Sequence, residues 1–207
     1  MSSGATEEEL AERWYERKST LMEASLGKEH DMVMHAVIPF AIGGNLDLYY
    51  YPNGVQGTAI ATKELSELPN EGPSNNVYRS YELVMFTKHR LVLEAARDEE
   101  TEFGRAHMKI NAILNRIARY SAEAVLNPND TCEFPEGPDG VGGKCLIFDG
   151  YACHSDDLAD NFGLLALIEV FHSEMEYARK HGGVRLIKRL QAKGSYPYSD
   201  LDRDPVA

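Results

Sequence analysis

Val33-Met-His-Ala-Val-Ile-Pro-Phe-Ala-Ile42, Leu46-Asp-Leu-Tyr-Tyr-Tyr51, Val55-Gln-Gly-Thr-Ala-Ile-Ala-Thr62 and Tyr81-Glu-Leu-Val-Met-Phe86 are four apolar runs whose reading decides the fold. Each is short, rich in Val, Ile, Tyr or Phe, and set between turn formers: Gly43-Gly44-Asn45, Pro52-Asn53-Gly54 and the loop from Leu68 to Asn76. Such runs between Gly, Pro and Asn clusters specify strands rather than helices. Gly43-Gly44 and Asn53-Gly54 suit turns that need positive φ, so the first three runs predict an antiparallel meander. Alternation in Leu46–Tyr51 puts Leu46, Leu48 and Tyr50 on one face and Asp47, Tyr49 and Tyr51 on the other. Pro39 cannot donate to a ladder, which predicts an edge or a bulge in the first run. Tyr81–Phe86 is nearly continuous in apolar residues and reads as a central strand.

A sheet needs its apolar faces covered, and the flanking segments supply the cover. Thr6 to about Leu26 reads as a helix with a Thr6/Glu9 capping box, and Leu10, Trp14, Leu21 and Ser25 share its predicted buried face, with Lys18 off it. Trp14 is read as the anchor of this helix on the sheet, and Gly27 as its stop. His89–Asp98 has no decisive pattern. Glu102 to about Leu126 is a long helix, with Phe103, Ala106, Ile110, Ile113, Leu114, Ile117 and Ser121 on one stripe. Thr131–Lys144, dense in Pro and Gly, is loop or hairpin. Cys145–Phe148 and Phe162–Phe171 are strands. A capped helix follows from Ser173, with Glu176 closing the box, and a last short helix covers Val184–Leu190. The expected fold class is α+β: a central mixed or mostly antiparallel sheet covered by an N-terminal helix, one long middle helix and two short C-terminal helices.

The chain has 207 residues, 43% of them hydrophobic, which suits one domain over 1–207 with residues 195–207 as an extended polar tail. No apolar run approaches the roughly 20 residues of a membrane span, and the first residues lack the pattern of a signal peptide. Three cysteines, Cys132, Cys145 and Cys153, do not make a disulfide framework, so a reducing cytoplasm is expected. With 21 Lys and Arg against 33 Asp and Glu, the net charge of −12 disfavours nucleic acid and leaves a soluble surface or one attractive to a basic protein partner.

No stretch carries a complete catalytic pattern. Gly137 to Cys145 fails as a phosphate loop: Cys145 stands where Ser or Thr belongs, and a strand follows where a helix should. Cys153-His154 and the following aspartates place ligand-type side chains together, but no metal-ligand spacing completes a site. His107 beside the long helix stripe reads as a satisfied boundary residue, and His172 as part of a turn. Two stretches are candidates for partner contact. Tyr49 and Tyr51 are interface anchors if their face is exposed and core if helices cover both faces. Asp156, Asp157 and Asp160 form an acidic loop that would attract a basic partner.

Three pieces then carry a family resemblance. They are the Tyr-rich strand followed by Gly57-Thr-Ala-Ile-Ala-Thr62; Tyr81-Glu-Leu-Val-Met-Phe86 after a Pro/Asn loop; and Leu165-Ala-Leu-Ile-Glu-Val170 running into Ser173-Glu-Met-Glu-Tyr-Ala-Arg-Lys-His-Gly182 and a closing helix. In this order, over roughly residues 30 to 193, the chain resembles the suppressor of fused domain in its stand-alone bacterial form. The resemblance implies a protein-binding module that is not an enzyme, needs no cofactor and holds no metal. It also suggests an immunity protein whose partner is a toxin or another basic polypeptide. The rival expectation is a metal- or thiol-dependent hydrolase assembled around Cys153 and His154. A monomer or a weak homo-oligomer is expected, with self-association through an exposed strand near Pro39 as a third reading.

Overall fold

Three of the four opening runs form sheet in the computed structural model, which describes residues 6–137, 140–154 and 161–207. Tyr49–Tyr51 (β1), Thr58–Ala61 (β2) and Ser80–Thr87 (β3) make the expected meander, with Tyr50 opposite Ile60 and Ile60 opposite Met85. Val33–Ile42 does not join it as a strand. It meets the sheet through single bridges, Met34 to Leu48 and Pro39 to Asn45, and Phe40–Ile42 is a 3-10 turn. Pro39 has no N–H to give, and the Asp47 carboxylate takes the Ala36 N–H at 2.8 Å, so the ladder ends.

Thr131–Glu133 (β4), Cys145–Cys153 (β5) and Phe162–Val170 (β6) complete a sheet ordered β1-β2-β3-β6-β5-β4. β4 and β5 form the hairpin that the Pro/Gly-rich stretch allows. β3 and β6 run parallel at the centre and the other pairs are antiparallel, so the sheet is mixed. At the β3 entry, a Cβ on Gly163 would lie 2.2 Å from the Tyr78 ring, so that crossing needs glycine.

Helices cover both faces. Glu102–Ser121 (α2) lies on one, packing Ile110, Ile113, Leu114 and Ile117 against Leu48, Tyr50, Leu83 and Leu165. Glu7–Leu26 (α1) lies on the other, over Tyr49, Tyr51, Val84 and Leu164. His172–His181 (α3) and Gly183–Ala192 (α4) join it on that side, over Ile147 and Ile168. The period-2 register of β6 divides it accordingly, with Leu165 and Leu167 facing α2 and Leu164, Ala166 and Ile168 facing the other helices.

Several details differ from expectation. The buried residues of α1 are Trp14, Lys18, Met22 and Leu26, while Leu10 is exposed; polar partners for Trp14 and Lys18 fix the helix rotation instead of the leucines. The helix does keep its capping box, Thr6 Oγ1 accepting the Glu9 N–H at 3.2 Å and Glu9 accepting the Thr6 N–H at 3.0 Å. α2 stops at Ser121, because Leu126 is drawn back into the core that the helix itself covers. His107 is fully buried rather than at a boundary, bridging Ala96 O at 2.8 Å and the Tyr50 hydroxyl at 2.9 Å, and burial lowers its pKa. α3 is capped by Glu174, which accepts the Phe171 N–H at 2.9 Å, whereas Ser173 donates to Ala207 O at 3.0 Å. The tail is strapped down. Ser199 N–H reaches Phe86 O at 2.9 Å, Asp200 accepts from Thr87 and Lys88, and Arg203 pairs with buried Glu174 at 2.6 Å.

Candidate functional site

The aromatic pair on β1 belongs to the core. Tyr49 and Tyr51 face α1 and are buried, which sets aside exposed anchors in favour of the covered-face reading. Burial drives both phenol pKa values up; a Tyr15 hydrogen bond adds to this at Tyr49, and the Glu29 charge at Tyr51. Asp156, Asp157 and Asp160 lie outside the described residues.

The three cysteines do not converge: Cys132 neighbours Cys145 across the β4–β5 pair, and Cys153 stands apart from both. Cys145 and Cys153 stand at opposite ends of nine-residue β5, roughly 25 Å apart at about 3.3 Å per residue. Cys132 and Cys145 have thiol pKa values raised by burial, the reverse of an activated nucleophile. Cys153 directs its Sγ to Asn161 Oδ1 at 3.0 Å, and His154 Nε2 meets Ser25 Oγ at 2.9 Å, so the two neighbours engage different partners. Among the described residues, no three His, Cys, Asp or Glu side chains gather as metal ligands.

What the sequence did not reveal is a buried ion pair under α1. Lys18 is 1% exposed and Glu82, on β3, 0%. Lys18 Nζ donates to Glu82 Oε1 at 3.1 Å and to Lys63 O at 2.6 Å. Glu82 also accepts from the Ser66 N–H at 3.1 Å, the Leu65 N–H at 3.2 Å and the Thr62 hydroxyl at 2.6 Å. A buried carboxylate is tolerated when its lone pairs are used in this way. The segment after β2 therefore wraps around Glu82, and Trp14 Nε1 ties α1 to the same turn through Ser66 O at 3.0 Å. Spacing was the available signal: Trp14, Lys18 and Met22 recur every four residues, which places Lys18 on the apolar stripe.

This network builds a groove of about 540 Å³ between α1 and the turn after β2. Glu8, Glu12 and Tyr15 descend from α1 on one wall, Glu64 and Glu67 form the other, and Tyr49 and the two lysines line its floor. Neither lysine is available to balance the rim. Lys18 is engaged by Glu82, and Lys63 pairs with Glu29, donates to Ser19 at 2.9 Å and lies 5.0 Å from the Tyr15 ring and 4.7 Å from that of Tyr49. Burial raises the Glu64 pKa; the Asp47 N–H opposes this at 2.8 Å, while the Asp47, Glu82 and Glu67 charges add to it. The groove thus holds negative charge at a cost that a cation would relieve.

Comparison with known proteins follows the same lines. No curated protein matches the chain. Among solved structures, the Sufu-Fu complex crystal structure aligns with a TM-score of 0.61 at 16% identity, covering 95% of this chain and 92% of that one. The crystal structure of Drosophila Suppressor of Fused aligns at 0.59 and 15% identity, covering 93% of this chain and 50% of that one, so this chain spans about half the Drosophila protein's length. These likenesses are of fold. The model of the suppressor of fused protein family matches residues 45–204, from the first strand of the meander to the strapped tail, and the chain belongs to that family.

Proposed function

We propose that this protein is a stoichiometric binding domain, working without a reaction step, and that the groove between α1 and the turn after β2 receives a basic segment of a protein partner. The observation that carries this reading is the charge of the groove: Glu8, Glu12, Glu64 and Glu67 surround one depression whose lysines are already paired. Membership of the family supports the choice, since one related structure is described as a Sufu-Fu complex. The net charge of −12 adds long-range attraction for a basic polypeptide. A toxin neutralised in the cytoplasm by a chain organised as one domain over 1–207 is the most specific form of this proposal.

The test is to capture the partner from the native host, or to take the polypeptide encoded beside this chain, and titrate it against the double charge reversal Glu12→Lys/Glu67→Lys. Both residues are exposed, so the variant keeps its fold. Affinity falls about tenfold or more, and the wild-type complex weakens as salt rises. Unchanged affinity in the variant would remove the groove from the binding surface.

A further inference from the structure

The segment released from the meander has a second consequence. From Ala36 to Gly44 the chain carries no charged side chain, on a molecule of net charge −12. Val37 is 97% exposed, Ile42 76% and Ile38 56%, and they form an apolar lip beyond the β1 edge. Behind the lip lies a hollow of about 420 Å³, walled by the same loop, by Met34, Leu46 and Leu48 beneath it, and by Arg97 and Asn111 opposite. The hollow is wide enough for more than one aliphatic side chain.

We propose that this face pairs two copies of the chain about a two-fold axis, the lip of each copy entering the hollow of the other. A two-fold contact requires one patch to be complementary to itself, and a projection beside a hollow made from the same loop gives each copy both halves of such a contact. Charge selects the occupant as well. Two molecules each carrying −12 repel over most of their surfaces. They approach at least cost where the lip carries no charged side chain and the described lining of the hollow, which includes Arg97 and His35, carries no carboxylate. An anionic membrane would meet the same repulsion without a matching shape. Arg119 holds the lip in place by donating to Gly44 O at 2.8 Å and Asn45 Oδ1 at 3.2 Å, so the projection is already formed before contact. The β1 edge stays out of the contact, since the His30 N–H already reaches Tyr50 O at 2.8 Å and Met34 bridges to Leu48.

Sedimentation of the full chain over a wide concentration range tests the pairing. The wild-type mass rises from one chain to two and stops there, and the transition moves to lower concentration as salt screens the like charges. Ile42→Asp weakens association about 30-fold or more, because the change acts at both symmetric contacts, and Val37→Asp repeats the result independently. Val184→Asp, at an apolar residue exposed on α4, leaves pairing unchanged, and circular dichroism confirms that all three variants fold. A single-chain mass at every concentration, growth beyond two chains, or undiminished pairing in both lip variants would each overturn the proposal. Liposome binding, or capture of another protein, by a strictly monomeric chain and lost in both lip variants would assign the lip to that occupant instead.

Discussion

α1 and α2 are both 20-residue helices, laid on opposite faces of one sheet, and they are held there by different balances of apolar and polar contact. α2 offers a stripe of Phe103, Ala106, Ile110, Ile113, Leu114 and Ile117, and most of its attachment is apolar area removed from water, with polar ties from His107 to the Tyr50 hydroxyl, from the Leu46 N–H to Asn115 and from Lys109 to Glu169. α1 buries only Trp14, Lys18, Met22 and Leu26, with an ammonium group in the middle of the row. Apolar burial is non-directional and tolerates small rotations of a helix, whereas hydrogen bonds to Glu82, Lys63 O and Ser66 O fix one rotation of α1. That rotation turns Glu8, Glu12 and Tyr15 toward Glu64 and Glu67. The polar attachment thus positions the groove, and the greasy one supplies the platform beneath the sheet.

The largest effect should come from breaking the polar attachment. Glu82→Ala leaves Lys18 without its counter-charge and strips the Leu65 and Ser66 N–H groups of their acceptor. Removing one partner of a buried pair costs about 3–5 kcal/mol, so denaturant unfolding should show a loss of that size. The turn bearing Glu64 and Glu67 should loosen with it. Leu114→Ala provides the contrast on the other face. Its cavity costs about 3 kcal/mol, within the usual range for such truncations, yet the groove and its partner affinity should survive. Equal damage to the groove from both variants would end the division of labour between the helices.

The next effect tests the strap that closes the α1 side. Burial alone would raise the Glu174 pKa, but hydrogen bonds from Arg203 and the Val206 and Phe171 N–H groups outweigh it and hold the carboxyl below its ordinary value. A depressed carboxylate stabilises the fold above its unfolded pKa of about 4.3 and loses that contribution as pH falls through the folded value. Arg203→Ala should cost about 1.5–3 kcal/mol at neutral pH, the worth of hydrogen bonds to a charged group. It should also flatten the acid limb of the stability profile. An acid limb unchanged by the substitution would show that Glu174 does not gain its stabilisation from the tail.

The same contrast explains what the sequence disclosed. The α2 stripe and the strands β1, β2, β3 and β6 follow from periodicity and composition, because their burial is decided by apolar area along one element. The central place of β3 followed for the same reason. Lys18 escaped because a lysine is assigned to solvent unless its partner is known, and Glu82 lies 64 residues away. Glu64 and Glu67 face α1 only because their turn folds around that same carboxylate. Val33–Ile42 has strand composition, but Pro39 and the Asp47 carboxylate together withdraw the donors a ladder needs. The Ser173 cap failed by a shift: Glu174 reaches Phe171, two residues earlier than the expected pairing of Ser173 with Glu176. In each case a contact distant in sequence, or a competing side chain, overrode a correct local pattern.

The smallest effect separates the helices most finely. Each begins at a threonine cap, Thr6 accepting from Glu9 N–H at 3.2 Å and Thr101 from Gly104 N–H at 3.0 Å. Losing such a cap costs about 1 kcal/mol where the first turn is part of the cooperative fold. In α2, Phe103 is buried two residues after the cap, so Thr101→Ala should lower global stability by about that amount. In α1 the first buried residue of the helix is Trp14, eight residues past Thr6, and the first two turns open without disturbing the core. Thr6→Ala should therefore leave the denaturation midpoint almost unmoved while amide exchange accelerates from Leu10 to Arg13. Partner affinity should fall with it, since Glu8 and Glu12 ride on those turns. A full global loss from Thr6→Ala would mean that the groove wall is as tightly coupled to the sheet as α2 is, and the contrast between the two faces would then reside in chemistry alone.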